Sequence, residues 1–176
     1  MPTLRALRER YRSSRVLRGA VELVGMILLV TLIGAYQTRD HPRGSLQGLT
    51  LRTLDGAPTS LAAWRGRTTL VEFWAPWCTV CKAQTDNLAR ARRILGSRAN
   101  VISVAAAFED ISEVRRSPLA QHAEVPVLLA DDAVTRRMNV RAFPTVFVLD
   151  AEGNVVNSLQ GYTTTAGLVL RALWHR

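Results

Sequence analysis

The chain has 176 residues, of which 48% are hydrophobic, so it is long enough to bury one core of ordinary domain size and too short for several domains. Its formal net charge of +9 raises the question of a nucleic-acid partner, but six arginines lie within the first eighteen residues, where Glu9 is the single acid. The remaining positive charge is scattered and forms no basic stripe with interleaved aromatic residues, so we expect no nucleic-acid binding.

The first element in chain order is an apolar block at residues 16–36, which has the length of a helix that crosses a hydrocarbon core of about 30 Å. Glu22 interrupts the block, and the fourteen residues after it also match the apolar region of a cleavable signal peptide. A cut after Ala35 would leave Ile33 at position −3, and a cut after Gly34 would leave Leu32 there, whereas a cleavage site needs small residues at −3 and −1. We therefore predict an uncleaved transmembrane anchor at residues 19–36, with a cleaved signal peptide as the alternative.

The basic residues ahead of the apolar block predict its orientation. By the positive-inside rule, residues 1–18 form a basic cytoplasmic N-terminus and everything after Tyr36 lies outside. The expected location is a bacterial inner membrane crossed once, with the folded domain in the periplasm. Residues 37–48 are polar and contain Gly and Pro, which is typical of a linker between a membrane and a domain.

The clearest elements of the exported part are a strand at residues 68–74 and a helix at residues 78–95. The strand segment is β-branched and aromatic and lies between a Gly-containing turn and a proline, which is typical of a buried central strand. In the helix segment, residues with helical spacing share one face (Cys81, Leu88, Ala91, Leu95). Gly96 is expected to end this helix.

Shorter elements surround this pair. Further strands are predicted at residues 49–54, 101–107, 127–130, 145–150 and 155–160, with turns at 55–56 and 152–154. Further helices are predicted at residues 60–64, 111–122 with an interruption near Pro118, 133–138 and 164–174. Strands that alternate with helices and close in a hairpin predict an α/β sandwich with a mixed sheet, in a domain at residues 49–176.

The two cysteines lie where the buried strand gives way to the helix. Cys78 at the start of the helix faces unpaired backbone N–H groups and the positive end of the helix dipole, both of which stabilise a thiolate. Cys81 follows one turn later on the buried side, at a spacing that can close a disulfide. We therefore expect Cys78 to be the nucleophile in thiol–disulfide exchange and Cys81 to resolve the mixed disulfide.

Other uses of the two thiols remain open as alternatives. A structural zinc site needs about four ligands, whereas the two cysteines and the dispersed His41, His122 and His175 follow no zinc spacing. A structural disulfide suits an oxidising compartment, although so short a loop constrains the unfolded chain little. The two thiolates could also bind copper, because thiolates are ligands that a soft metal ion prefers.

Two segments carry a resemblance to a known family. Residues 70–82 (LVEFWAPWCTVCK) closely resemble the active-site segment of thioredoxins, and Phe143-Pro144-Thr145 resembles the cis-proline loop of that family. The resemblance implies a thioredoxin fold, a three-layer α/β/α sandwich with a mixed sheet, in which Pro144 is cis and faces the cysteine pair. It also implies that the backbone of Phe143 pairs with a bound substrate strand. Pro126 fits this loop less well because a short strand and then a helix follow it.

Further site residues follow from the same resemblance. Thioredoxins carry an acid six residues before the first cysteine, and Glu72 occupies that position. A carboxyl on a central strand is partly desolvated, so its pKa is expected to rise toward neutrality and Glu72 can accept the Cys81 proton. This role requires Glu72 to point inward. Trp77 and Trp74 are expected to pack around the site and shape its surface.

The chain also resembles one subgroup of the superfamily. An extra strand-helix portion before Pro144, together with the anchor, resembles the TlpA/ResA-like subgroup, and residues 161–164 and 170–174 are similar to ScsD-type proteins linked to copper-stress tolerance. The dipeptide Thr79-Val80 departs from the Gly-Pro of thioredoxins, so the reduction potential is open over about −270 to −120 mV. Phe143 is also unusual before the proline, which leaves the choice of partner open.

Together these features predict a protein-disulfide oxidoreductase acting on exported proteins, with the Cys78–Cys81 disulfide as its redox centre and no other cofactor or metal. We expect a reductase or isomerase that draws electrons from a membrane thiol reductase of the DsbD or ScsB kind, in copper stress or cytochrome c maturation. An oxidase would use the same residues. The alternative from another class is a copper-handling or apocytochrome-binding chaperone whose thiols bind without turnover.

Overall fold

A computed structural model of the chain describes residues 15–46, 48–122 and 124–175. Most of the basic N-terminus predicted at residues 1–18 therefore lies outside the described residues. The chain divides into two compact units, Met1–Arg39 and Asp40–Arg176.

The described part of the first unit is one helix, α1 (Arg15–Thr38). None of its side chains is buried, and its 24 residues are long and apolar enough to cross a membrane. A signal sequence near an N-terminus can share these properties, so α1 is a candidate membrane span by length and composition. The helix extends beyond the predicted residues 19–36 at both ends.

The second unit contains the remaining elements. Its strands are β1 (Gly44–Ser45), β2 (Thr50–Thr53), β3 (Pro58–Ser60), β4 (Thr69–Trp74), β5 (Asn100–Ala105), β6 (Val127–Leu129), β7 (Thr145–Leu149) and β8 (Asn154–Gln160). Its helices are a 3₁₀ turn (Leu61–Trp64), α2 (Thr79–Leu95), α3 (Ile111–Arg116), α4 (Pro118–Gln121), α5 (Asp132–Arg137) and α6 (Thr165–Trp174).

The described strands form one sheet with the order β1-β8-β7-β4-β5-β6-β2-β3. The pairs β4/β5 and β5/β6 are parallel and the others are antiparallel, so the sheet is mixed. One face packs against α2, α3, α4 and α6, and the other packs against the 3₁₀ turn and α5. The predicted α/β sandwich with a mixed sheet is confirmed.

The folded unit begins earlier in the chain than the predicted residue 49. Within the segment predicted as a linker, β1 pairs with the start of β8, and the side chain of Leu46 is buried. His41 is also buried, and its Nδ1 atom lies 2.9 Å from the Ser158 Oγ atom. The linker assignment from composition was wrong here because strand pairing and buried side chains hold this polar segment on the sheet edge.

Two other elements differ from the expected ones for local reasons. The predicted helix at residues 111–122 is two helices, α3 and α4, because Ser117 is extended and its side chain accepts a hydrogen bond from the Ala120 N–H at the start of α4. Pro118 follows as the first residue of α4, where a missing N–H is tolerated. Strand β5 ends at Ala105, two residues before the predicted end, and Ala107 has a positive φ of 51°.

Candidate active site

Strand β4 positions the first site residue by strand alternation. All six of its residues are buried, and successive side chains point to opposite faces of the sheet. Leu70 and Trp74 belong to the core on the α2 side, so Glu72 between them points to that side as well. The sequence requirement that Glu72 point inward is met, since its side chain is 0% exposed.

The cysteine pair lies at the beginning of α2. Cys78 is the N-cap residue of this helix, and its Sγ atom accepts a hydrogen bond of 3.1 Å from the Cys81 N–H. The two residues form a disulfide with a Cα–Cα distance of 5.3 Å. Cys78 is 6% exposed and Cys81 is 2% exposed, so the inner sulfur is almost closed off from solvent. The geometry suits an outer nucleophile and an inner resolving thiol.

The environment of Glu72 favours the neutral acid. Burial raises its pKa from 4.5 to about 7, and a hydrogen bond from Gln84 opposes part of that rise. The Glu72 Oε2 atom accepts this bond from Gln84 Nε2 at 2.9 Å. The Glu72 Oε1 atom is buried and has no partner among the described residues. At neutral pH this carboxyl can therefore both take up and release a proton.

Gln84 is a site residue that the sequence analysis missed. It is buried on α2, and its Oε1 atom accepts a hydrogen bond of 2.6 Å from the Thr163 N–H. The signal was present in the sequence, because Gln84 follows Cys81 by three residues and precedes Leu88 by four, on the face predicted to be buried. A glutamine on an otherwise apolar helix face requires buried partners, and the structure supplies them.

The mouth of the site is formed by aromatic side chains. Trp77, the residue before Cys78, is 63% exposed, and its Nε1 atom donates a 2.8 Å hydrogen bond to the Ala107 carbonyl oxygen. Its ring lies 5.8 Å from the ring of Phe143 in an edge-to-face arrangement. Trp74, expected beside the site, is buried next to Cys81, and its Nε1 atom has no partner among the described residues.

Pro144 lies at the same end of the sheet as the cysteine loop. The register of β4 and β7 pairs Phe73 with Thr145, so the residue before Thr145 reaches the end of β4 from which the cysteine loop departs. The Phe143–Pro144 peptide bond is cis, and the Pro144 carbonyl oxygen accepts a 2.7 Å hydrogen bond from the Gly161 N–H.

The histidines considered for a metal lie apart from the cysteines. His41 contacts Ser158, His122 lies 3.7 Å from Asp86, and the carbonyl oxygen of His175 accepts a hydrogen bond from Thr68. Among the described residues, no group of three or more His, Cys, Asp or Glu side chains is placed to hold a metal ion.

The family model described as Redoxin matches residues 40–168, which is most of the chain. The chain belongs to the Redoxin family. The thioredoxin-like protein YneN of Bacillus subtilis is 26% identical over 140 residues, covering 72% of this chain and 82% of that protein. The thiol-disulfide oxidoreductase ResA of Bacillus subtilis is 26% identical over 115 residues, covering 65% of this chain and 64% of that protein.

Solved structures extend the comparison to the fold. A secreted Mycobacterium tuberculosis disulfide oxidoreductase, described as homologous to DsbE of E. coli, superposes with a TM-score of 0.62 at 24% identity, covering 73% of this chain and 96% of that one. StoA of Bacillus subtilis gives a TM-score of 0.59 at 19% identity, covering 70% and 94%. This Redoxin-family chain is thus a TlpA/ResA-like thiol:disulfide oxidoreductase with a thioredoxin fold and one cysteine pair, Cys78–Cys81.

Proposed function

We propose that this oxidoreductase reduces or isomerises disulfides in exported proteins while anchored to a bacterial inner membrane through α1. The observation that carries the proposal is the Cys78–Cys81 disulfide at the N-terminus of α2, with the buried carboxyl of Glu72 behind it on the same side of the sheet. A structural disulfide has no use for a buried acid, whereas a resolving thiol needs a proton acceptor.

The outer cysteine begins the reaction. In the reduced protein, the Cys78 thiolate at the N-cap of α2 is stabilised by backbone N–H groups such as that of Cys81, which already points at the Cys78 sulfur. This thiolate attacks a substrate disulfide and forms a mixed disulfide. The first half-reaction therefore depends on the helix terminus and not on Glu72.

The inner cysteine ends the reaction. Cys81 is almost fully buried, so its thiol requires a nearby base before it can attack the Cys78 sulfur. We assign that role to Glu72, whose pKa is raised to about 7 by burial and therefore suits proton transfer near neutral pH. The substrate leaves as a dithiol, and the pair returns to the oxidised state seen in the structure.

The aromatic mouth is the proposed substrate site. Trp77 is exposed beside Cys78, and its ring contacts Phe143, so the two form an apolar rim next to the nucleophile. A substrate segment that lies along this rim can pair with the backbone of Phe143 ahead of Pro144. Substrate binding then presents the disulfide to Cys78.

The electron source follows from the proposed location. The arginines of residues 1–18 favour a cytoplasmic N-terminus, which leaves Asp40–Arg176 in the periplasm. The pair would then be re-reduced by a membrane thiol reductase of the DsbD or ScsB kind, because the reduction of periplasmic disulfides needs electrons brought across the membrane. Copper stress and cytochrome c maturation are the two settings that we propose for its substrates.

The experiment is a substrate trap with a matched pair of variants. Cys81→Ser should accumulate mixed disulfides between Cys78 and exported proteins, because the resolving step is lost, whereas Cys78→Ser should accumulate none. The readout is non-reducing electrophoresis with mass spectrometry of membranes from cells that express each variant. Tight Cu(I) binding by the wild-type chain, weakened by Cys81→Ser without any trapped protein, would instead establish the copper-handling alternative.

The direction of electron flow is decided by the reduction potential measured against glutathione. A value below about −200 mV supports the reductase, and a value near −120 mV supports an oxidase. A pair that does not exchange with glutathione at all contradicts the proposal.

A further inference from the structure

Gln84 occupies a position between the buried acid and the loop that follows β8. It lies one turn after Cys81 on α2, is 0% exposed, and uses both ends of its amide. The nitrogen end donates to Glu72 Oε2 at 2.9 Å, and the oxygen end accepts from the Thr163 N–H at 2.6 Å. Gln84 is neither the nucleophile nor the proton acceptor of the proposed reaction.

The orientation of the Gln84 amide is fixed by its partner on the far side. A backbone N–H can only donate, so the end of the amide that faces Thr163 must be the oxygen. The NH₂ group is thereby directed at Glu72, and an amide flip would set two donors against each other at Thr163 while offering only an acceptor to Glu72. The assignment therefore follows from the hydrogen-bond pattern.

This orientation makes the two oxygens of Glu72 inequivalent. A proton on Oε2 would face the donating NH₂ group of Gln84, which is unfavourable, whereas Oε2 can accept that bond whether the carboxyl is neutral or ionised. The proton of the neutral acid is therefore on Oε1, the oxygen that is buried without a partner among the described residues. Gln84 thus decides which oxygen of the acid is available for exchange.

We propose that Gln84 is a positioning residue for the resolving step: its amide holds Glu72 by Oε2 so that Oε1 takes the proton from Cys81. The proposal rests on the proposed function and adds a residue to it. Its effect is on the acid and not on the nucleophile, because Gln84 contacts Glu72 and the N–H of Thr163, whereas Cys78 is held by the first turn of α2.

Gln84 supports the second half of the exchange, in which Cys81 displaces the substrate from Cys78. In the mixed disulfide, the Cys81 thiol gives its proton to Glu72 Oε1, and the resulting thiolate attacks the Cys78 sulfur. The Cys78–Cys81 bond forms, the bond between Cys78 and the substrate sulfur breaks, and the substrate thiolate takes a proton from water. The enzyme dithiol is oxidised by two electrons, the substrate disulfide is reduced by two, and Glu72 later releases its proton to water.

Asn87 provides a matched control on the same helix. It is buried, and it joins α2 to the same loop through hydrogen bonds with the Tyr162 hydroxyl and the Thr163 carbonyl oxygen, at 2.7 and 3.2 Å. In the part of the chain that the structure describes, the hydrogen bonds of its side chain go to residues other than Glu72. Replacing Asn87 therefore loosens the same junction while leaving the Gln84–Glu72 pair in place.

The test uses the reduced full-length chain in detergent with dithionitrobenzoate, an aromatic disulfide whose thiolate product is coloured. Attack by Cys78 releases the first equivalent of this thiolate, and attack by Cys81 on the mixed disulfide releases the second. The rate of the second release is measured against pH by stopped flow. The Glu72→Gln variant identifies the inflection that belongs to the acid, since that inflection disappears when the carboxyl is removed.

In the wild-type chain we expect this inflection near pH 7, where the pKa of Glu72 lies. In Gln84→Met it should move upward by about one pH unit or more, because a hydrogen bond that stabilises the carboxylate is lost. The first release should keep its rate within about twofold, and Asn87→Leu should leave the inflection in place.

If Gln84→Met does not fold, Gln84→Glu serves instead. That variant keeps the shape and the bond to Thr163 but sets a second carboxyl against Glu72, which also raises the inflection.

An inflection that stays at the wild-type pH in a folded Gln84 variant overturns the proposal. An equal shift in Asn87→Leu overturns it as well, because the effect would then belong to the junction and not to the amide. Failure of the proposed function looks different: the wild-type chain itself would release no second equivalent, or release it without any inflection that Glu72→Gln removes.

Discussion

Strand β4 separates two interiors of different character. On the α2 side, Glu72 lies buried between Leu70 and Trp74, and two polar atoms there lack partners among the described residues. On the opposite side, Val71 and Phe73 lie in an apolar core, where Phe73 packs edge-to-face on Phe147 at 5.6 Å. Buried polar groups without partners cost stability, so the α2 side combines an apolar core with polar atoms that lower stability, whereas the β4 side chains on the opposite side are apolar.

The largest effect on stability is expected on the apolar side. Phe73→Ala removes a fully buried ring and should lower the free energy of unfolding by about 3 to 5 kcal/mol. Urea denaturation of the oxidised unit Asp40–Arg176 measures it. The pH of the Glu72 inflection should stay unchanged in this variant, because Phe73 points away from the acid. A shifted inflection would show that the two faces are not separate.

An effect of opposite sign is expected on the α2 side. The folded state raises the pKa of Glu72 from 4.5 to about 7, so it binds the proton more tightly than the unfolded chain. This tighter proton binding contributes about 3 kcal/mol to the free energy of unfolding. The contribution is fully present below about pH 4.5 and is lost as the pH rises through about 7. Glu72→Gln should therefore be more stable than wild type at pH 8, by up to about 3 kcal/mol, and gain little at pH 4.

Urea denaturation at the two pH values measures this difference between wild type and variant. A gain in stability that is the same at pH 4 and pH 8 would mean that ionisation of Glu72 is not its cause.

The smallest effect is expected at Ser103, which lies beside Glu72 in the β4–β5 register. Its hydroxyl is buried and makes one long hydrogen bond, 3.4 Å to the Pro126 carbonyl oxygen. Ser103→Ala should change the free energy of unfolding by less than about 1 kcal/mol, because little is lost and a buried polar group is removed. Thermal denaturation is sensitive enough to measure it. A loss above about 2 kcal/mol would place Ser103 in a cooperative polar network with the acid.

Much of the site could be predicted because its signals are local. A β-branched and aromatic run predicted the strand that became β4, and helical spacing with Gly96 at the end predicted α2, where Gly96 has a φ of 53°. The strand and the helix depend on residues close together in the chain. The inward direction of Glu72 was only a condition for its role, and it is its burial on the α2 side that meets this condition.

The rest depends on contacts between distant residues. Strands β1 and β3 are polar and short, so their sequences carry no hydrophobic alternation, and they are fixed by pairing with β8 and β2. The place of Gln84 likewise needs Thr163, which is far along the chain, to fix its amide. Spacing could indicate that Gln84 is buried, but only the fold shows what it bonds.

The two outer strands of the sheet have a consequence for crowding. Among the described strands, the edges are β1, with two residues, and β3, with three residues that begin at Pro58. Short edges and an edge proline offer few free backbone groups for another strand to join. Domains tethered to a membrane, as proposed above, meet one another by diffusion in two dimensions at high local concentration. For a domain tethered in this way, edges this short are expected to limit the growth of shared sheets between neighbouring copies.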